Sequence, residues 1–202
     1  MLSDRAGAAC GVVAPTAFVT AWAVGGVLRD DGYDPLHDAI SRLAEVGADT
    51  APLMTAGLVA FGVLVPVWAR TLGDRLESAA LRRVVTTAGL ATLAVAALPL
   101  TREGGTTQDA LHAVAAGTGY VAMAATPLVA APLLRRRGHR RAAAASVAVG
   151  LVSAASLVGT LLAGAVLGDD GPVGSGGLQR LGLTVVDAWH VAAAAAVLRR
   201  RR

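Results

Sequence analysis

Six long apolar stretches separated by charged segments constrain this 202-residue chain more than any other feature. A helix needs about 20 apolar residues to cross the roughly 30 Å hydrocarbon core of a bilayer. Stretches of about that length occupy residues 8–28, 51–70, 82–100, 110–134, 142–168 and 180–198. Helices satisfy their own backbone hydrogen bonds within lipid, and the length of these stretches favours helices over strands. The sequence therefore predicts an all-α, polytopic membrane protein, a bundle of six transmembrane helices forming a single domain over residues 1–202.

The composition supports a membrane location and excludes other classes. Hydrophobic residues make up 54% of the chain but aromatic residues only 3%, so alanine, valine and leucine supply the apolar character. Every basic residue is an arginine, and the arginines cluster at the ends of apolar stretches rather than on a polar face. This distribution is typical of membrane topology, so we expect no nucleic-acid partner. Cys10 is the single cysteine, which excludes an intramolecular disulfide. Gly7 and Gly11 have the spacing that lets helices pack closely.

The charge of the connecting segments alternates along the chain. Arginine is concentrated after the second, fourth and sixth stretches, as in "RRRGHRR" at residues 135–141, whereas the other connections are acidic. The positive-inside rule then predicts a multi-pass protein of the inner (plasma) membrane with both termini in the cytoplasm. One alternative concerns residues 1–23, where Ala21 and Ala23 form a small-x-small end that resembles a secretory cleavage site. Cleavage there would leave five membrane spans.

The first outer connection, "YDPLHDAISRLAEVGADTAP" at residues 33–52, is longer and more patterned than a simple turn requires. Asp34 is suited to cap a helix whose first residue is Pro35, and Gly47 is suited to end it. An apolar face at helical spacing would comprise Leu36, Ile40 and Leu43. A charged face would comprise Asp38, Arg42, Glu45 and Asp49, its first two members being spaced for an ion pair. The sequence predicts a short amphipathic helix, either a lid over the bundle mouth or a plain interfacial helix.

Three of the four histidines follow an aspartate by three residues, a spacing that puts both side chains on one helix face. The pairs are Asp34 with His37, Asp109 with His112, and Asp187 with His190. Such a pair would let the aspartate orient the histidine, or let both bind a metal ion. An outer-leaflet zinc site would draw on His37, Asp109, His112 and His190. The alternative is that aspartate and histidine at the rim are only solvated or capping groups, with no cofactor.

Asp187 lies well inside the sixth stretch, in "VVDAWH". An ionisable residue within the hydrocarbon is costly, and it indicates a buried partner, a polar cavity or a proton path. Arg180, Arg102 and His112 are candidate partners, and Trp189 is a candidate neighbour of the same pocket. A purely structural pair between helices is the alternative interpretation.

Three segments resemble a six-span bacterial membrane family catalogued as domain of unknown function 998. They are "DPLHDAISRLAEVGA" after the first stretch, "LHAVAA" in the fourth and "LQRLGLTVVDAW" in the sixth. The resemblance covers nearly the whole chain and implies that Ser41, His112, Arg180 and Trp189 occupy the family's recurring positions. That family often has an acidic residue before the arginine, where this chain has Gln179. The resemblance implies no established activity.

Together these observations predict a polar cluster at the outer mouth of the bundle, formed by Ser41, His112, Arg180, Asp187 and Trp189. We expect the protein to bind, sense or transport a lipid or a small polar ligand there, with membrane lipids as its surroundings. Arg180 and nearby helix termini would receive an anionic group. Two alternatives stay open: a metal-dependent membrane hydrolase with a zinc site of histidine and aspartate, and an accessory structural subunit of a membrane complex.

Overall fold

The computed structural model describes residues 3–162 and 174–199. Within these ranges the chain forms six α-helices and no strand: α1 Asp4–Leu28, α2 Ala51–Arg75, α3 Ala79–Ala97, α4 Thr107–Arg136, α5 Arg140–Leu162 and α6 Ser175–Arg199. Each helix is long and apolar enough to cross a membrane. The predicted all-α architecture of six spans is therefore confirmed, and the chain is a multi-pass membrane protein. The sixth helix begins at Ser175 rather than at residue 180, and the predicted end of the fifth span, 163–168, lies outside the described residues.

The six helices close into a ring. Each helix packs against the one before it, α6 packs back against α1, and α6 also reaches α4 across the interior. Short connections at residues 76–78 and 137–139 lie at one end of the bundle, which we call the arginine end. Residues 29–50 and 98–106 connect helices at the opposite end, which we call the long-loop end. This arrangement brings parts of distant helices together at each mouth of the ring.

Glycine permits a close contact in the ring where α1 lies against α2 and α6. A Cβ atom added to Gly11 would lie 2.6 Å from the Trp68 ring and 2.9 Å from the Ala194 methyl group. One helical turn earlier, a Cβ atom at Gly7 would collide with the Thr71 side chain. The predicted close packing through Gly7 and Gly11 is thus confirmed, and Trp68 is fully buried as a result.

The amphipathic helix predicted from Pro35 onward is shorter than expected. Only a 3₁₀ helix, Ile40–Ala44, forms in this connection, and Gly47 follows it with a φ angle of +80°. The preceding residues form a turn, and Leu36 is 52% exposed instead of contributing to an apolar face. The longer helix does not form because α6 donates hydrogen bonds to the backbone carbonyls that would otherwise accept bonds within that helix. The amides of Gly177 and Gly176 donate to the carbonyls of Leu36 and His37 at 2.8 and 3.3 Å.

A capping box fixes the start of α4. The Thr106 hydroxyl accepts a hydrogen bond from the Asp109 amide at 3.1 Å, and the Asp109 carboxylate accepts one from the Thr106 amide at 2.9 Å. The same carboxylate accepts bonds from the amide and the hydroxyl of Thr101 at 2.8 and 2.7 Å. Asp109 therefore ties the 98–106 connection to the helix it caps.

Removing this carboxylate should destabilise the fold moderately. We expect Asp109→Ala to lower the free energy of unfolding by about 1–2 kcal/mol, because a cap and two bonds to Thr101 are lost. Thermal unfolding of the purified protein in detergent measures the change. Glu103→Ala is the matched control, since Glu103 is exposed and forms no hydrogen bond or ion pair within the described residues. Equal melting temperatures for the two variants would contradict the capping role.

Candidate functional site

Arg180, near the start of α6, holds the first connection over the long-loop end. Its Nη1 atom donates hydrogen bonds to the carbonyl oxygens of Pro35, Asp38 and Gly176 at 2.5, 2.8 and 3.1 Å. Its Nη2 atom donates to the Tyr33 hydroxyl. Only 9% of the residue is exposed, so these bonds form away from bulk water. A planar guanidinium is suited to this task because its donors form a rigid fork.

Tyr33 completes the contact between Arg180 and the connection. Its hydroxyl donates to the Ala39 carbonyl at 3.3 Å while accepting from Arg180. Burial raises the pKa of the Tyr33 hydroxyl, so this group keeps its proton at neutral pH. The Arg180 guanidinium carbon lies 5.6 Å from the ring centres of both Tyr33 and Trp22, within range of a cation–π interaction. The Arg180 Nε and Trp22 Nε1 donors have no acceptor among the described residues.

Gln179, the residue before Arg180, adds a second attachment. Its side-chain oxygen accepts a hydrogen bond from the Ile40 amide at 2.7 Å, and its side-chain nitrogen donates to the Tyr120 hydroxyl. The Ser175 hydroxyl also donates to the His37 carbonyl at 3.0 Å. The first turns of α6 therefore hold residues 35–44, which we call the lid segment, across the mouth of the ring.

An ion-pair group anchors the far side of the lid segment. Arg29 Nη2 lies 2.5 Å from a Glu45 carboxylate oxygen, and Arg42 Nη1 lies 3.1 Å from the other. Arg29 Nε also contacts Asp31 at 2.7 Å, and these bonds, first of all the one to Asp31, raise the pKa of Arg29. The predicted ion pair between Asp38 and Arg42 does not form, because Arg42 turns to the buried Glu45 instead.

A pocket lies directly beneath the lid segment. It encloses about 50 Å³ between the lid and helices α1, α2, α3, α4 and α6. Its walls are mostly apolar, with Phe18, Phe61 and Leu183 among them. Two of the predicted site residues, Ser41 from the lid and His112 from α4, line this pocket together. The structure therefore brings these two residues to one place, although they are far apart in sequence.

The polar groups of the pocket can each form a hydrogen bond with a ligand. His112 Nδ1 lies 2.6 Å from the Leu98 carbonyl, which only accepts, so Nδ1 carries a proton and Nε2 of the neutral ring is an acceptor. The Tyr120 hydroxyl accepts from Gln179, which leaves its own proton available. The Ser41 hydroxyl forms no hydrogen bond to any of the described residues. The predicted contact between Asp109 and His112 is replaced by the bond to Leu98.

Comparison with known proteins places the chain in a family. The family described as Protein of unknown function (DUF998) matches residues 12–196, which is nearly the whole chain. The chain belongs to the DUF998 family. No curated protein and no solved structure matches it. The predicted resemblance is thus confirmed, and the family description carries no activity.

In this DUF998 protein, Asp187 lies below the pocket within the ring of helices. It is 2% exposed, and neither carboxylate oxygen has a hydrogen-bond partner among the described residues. The candidate partners Arg180 and Arg102 instead bond to backbone carbonyls at the long-loop end. Three residues later, His190 Nδ1 accepts a hydrogen bond from the Trp68 indole at 3.1 Å. Because the indole only donates, the proton of the neutral His190 ring sits on Nε2, which has no described partner.

Trp189 of the DUF998 chain lies away from the predicted cluster. Its indole nitrogen donates to the Ser146 hydroxyl on α5 at 2.8 Å, and its ring lines a second cavity at the arginine end. Trp189 lies two residues after Asp187 and points to a different face of α6, and neither residue lines the pocket that contains Ser41. The role of each predicted site residue stays a prediction, but their grouping into one cluster does not match the geometry.

The residues considered for zinc do not fit a zinc site. His37 Nδ1 contacts the Asp34 carboxylate at 2.6 Å, as its spacing predicts, while His112, Asp109 and His190 are engaged at separate places. A catalytic zinc site requires three protein ligands around one ion. Nowhere in the described ranges do three histidine, cysteine, aspartate or glutamate residues form such a group.

Sequence reasoning missed several residues that shape the site. Tyr33 and Tyr120 contact Arg180 and Gln179, and Trp22 stacks near the guanidinium. The sequence holds one signal for these residues: tyrosine and tryptophan are scarce in this chain, and they usually keep a polar partner when they are buried. Gln179 was noted only as a departure from the family's acidic residue. Its amide oxygen accepts from the lid while its amide nitrogen donates to the Tyr120 hydroxyl, whereas a carboxylate, which only accepts, would require that hydroxyl to donate instead.

Proposed function

We propose that this DUF998 protein binds a small, uncharged amphiphile, such as a neutral lipid fragment, in the pocket beneath the lid segment. The observation that carries this proposal is the position of Ser41 and His112 in one apolar-walled pocket. Ligand sites typically combine apolar walls with a few polar groups that set the orientation of the ligand. For that purpose the pocket offers the hydroxyl of Ser41, the Nε2 acceptor of His112 and the phenol of Tyr120.

The charge of the pocket argues for a neutral ligand. No aspartate, glutamate or arginine is among the residues that line it. The expected anion contact at Arg180 has little support, because its Nη atoms bond to the lid segment and to α6 itself. A charged ligand would lose its hydration without gaining an ionic partner. An alcohol or carbonyl group at the end of an apolar molecule would match the available hydrogen bonds.

The lid segment also sets how a ligand enters. The enclosed volume of about 50 Å³ holds only the end of a molecule, whereas pockets for drug-sized ligands span about 300–1,000 Å³. Binding of a larger molecule therefore requires the lid segment to move away from α6. Lids of this kind exclude water and open on slow timescales. In this proposal Arg180 and Gln179 are positioning residues that control the opening.

We further propose that the arginine end faces the cytoplasm of a bacterium and that the lid faces away from it across the plasma membrane. The support is the bias of arginine toward one end of the bundle, which predicts cytoplasmic location by the positive-inside rule. A ligand would then reach the pocket from the outer leaflet or the space beyond it. This orientation would suit capture or sensing of a molecule outside the cytoplasm.

Filling the pocket tests the proposal. Ala116 lines the pocket on α4, and Ala116→Leu adds three carbon atoms there. We expect the amount of small amphiphile that co-purifies with the protein, measured by mass spectrometry of an organic extract, to fall at least about tenfold, which corresponds to about 1.4 kcal/mol. Ala113→Leu is the matched control, since Ala113 is exposed on the same helix. It should retain the wild-type amount.

Either of two results would contradict the proposal. One is an unchanged extract in a folded Ala116→Leu protein. The other is an extract whose loss is equal in both variants, which would indicate a general effect of leucine on this helix. Melting temperatures of all proteins establish that each variant is folded before the extracts are compared.

A further inference from the structure

A second, larger cavity opens at the arginine end of the ring. It encloses about 410 Å³ between α2, α4, α5 and α6, a size within the range of ligand pockets. Its walls are mostly apolar and include several alanines, such as Ala145 and Ala193, and Trp189 contributes an aromatic face. Arg75 and Arg137 stand among the lining residues. The cavity thus combines an apolar interior with guanidinium groups.

In the described part of the chain, the only groups paired with these two arginines are exposed acids. Arg75 Nη2 lies 2.8 Å from the Asp4 carboxylate, and Arg137 Nη2 lies 3.3 Å from the Glu77 carboxylate. The side chains of Asp4 and Glu77 are 58% and 86% exposed. Ion pairs of this kind contribute little because water screens them. A stronger anionic partner can therefore displace these acids, or share the guanidinium donors that they leave open.

The surroundings add positive charge. Four arginines at the adjoining ends of α4 and α5 extend the basic surface next to the cavity: Arg135, Arg136, Arg140 and Arg141. All four are exposed. Basic pockets between transmembrane helices are suited to acidic lipid headgroups, and guanidinium groups bind phosphate through two parallel hydrogen bonds. The apolar walls complement an acyl chain, which a free anion lacks.

We propose that this cavity binds an anionic phospholipid, with an acyl chain against the alanine-rich walls and the phosphate on Arg75 and Arg137. The occupant comes from the membrane leaflet at the arginine end. This site is separate from the pocket beneath the lid segment, since none of the same residues lines both. The protein therefore holds a neutral ligand at one mouth of the ring and an acidic lipid at the other.

Binding of dioctanoyl phosphatidic acid to the detergent-purified full chain tests this proposal. We expect Arg75→Gln and Arg137→Gln each to raise its dissociation constant about tenfold, because each removes a charge-assisted hydrogen bond. Arg83→Gln is the matched control, since Arg83 is exposed at the same end but does not line the cavity. It should change the constant by less than about threefold.

A steric variant tests the apolar half of the site independently. Ala193→Phe should abolish binding of the lipid, whereas Ala188→Phe, at an exposed position on the same helix, should not. The proposal is overturned if dioctanoyl phosphatidylcholine binds as tightly as the acidic lipid, or if inorganic phosphate alone does. It is equally overturned if neither arginine variant weakens binding. Should Ala193→Phe fail to fold, the arginine variants still decide the outcome, because their positions are on the rim.

Discussion

Arg180→Leu is expected to lower the free energy of unfolding by about 4 kcal/mol and to release the lid segment. The guanidinium donates to three carbonyl oxygens and to the Tyr33 hydroxyl from a buried position. Leucine would leave the Pro35 and Asp38 carbonyls without this donor, and the loss of each hydrogen bond to a charged group costs about 1.5–3 kcal/mol. The loss of two cation–π contacts adds to this cost.

Thermal unfolding in detergent and limited trypsin digestion together measure this effect. Trypsin should cut the Arg180→Leu protein after Arg42 in the released lid segment faster than it cuts the wild type. Arg102→Leu is the matched control, because Arg102 is exposed and donates a hydrogen bond to the Gly47 carbonyl at 2.8 Å. It should cost less than about 1 kcal/mol. If both variants melt at the same temperature, Arg180 does not hold the lid segment.

Gly11→Val is expected to destabilise the bundle by about 3 kcal/mol or more. The first added carbon would lie 2.6 Å from the Trp68 ring and 2.9 Å from Ala194, so α1 would have to move away from α2 and α6. Overpacking of a close-packed interior usually costs about 1–3 kcal/mol, and here two helices confine the added atoms. The shift would also break the hydrogen bond from Trp68 to His190.

Gly117→Val provides the control for this substitution. Gly117 lies within α4, and a Cβ atom added there meets nothing within 4 Å. Both variants carry the same change of residue type within a helix, so helix propensity cancels between them. The difference in unfolding free energy between them then reports packing alone. A difference smaller than about 1 kcal/mol would show that α1 does not pack as closely as described.

The six helices could be predicted because each one is specified by its own continuous segment of the sequence. Each helix is a run of apolar residues of the required length, and lipid leaves few alternatives for such a run. The lid segment could not be predicted in the same way. Its sequence has a helix cap and helical spacing, yet the carbonyls of residues 35–38 accept bonds from α6, about 140 positions later. Tertiary contacts therefore override the local pattern.

The site was only partly predictable, for a related reason. Ser41 and His112 were identified, and the structure places both on one pocket. The predicted cluster also includes Asp187, because it lies in the same apolar stretch as Arg180, and Trp189, because the resemblance implies that it occupies a recurring position of the family. The position of a residue along a helix does not fix the direction in which its side chain points, however. Trp189 lines the cavity at the arginine end. Tyr120 was missed because a single polar residue in an apolar run creates no periodic pattern.

In the proposed orientation the lid segment and its pocket face away from the cytoplasm, and the arginine end faces it. Cysteine labelling tests this most directly, in a Cys10→Ala background that removes the single native thiol. Glu103→Cys places a thiol at the long-loop end and His139→Cys places one at the arginine end, both at exposed positions. A membrane-impermeant maleimide should label position 103 in intact cells, and position 139 only after the membrane is permeabilised. The opposite pattern of labelling would contradict the proposed orientation of the protein.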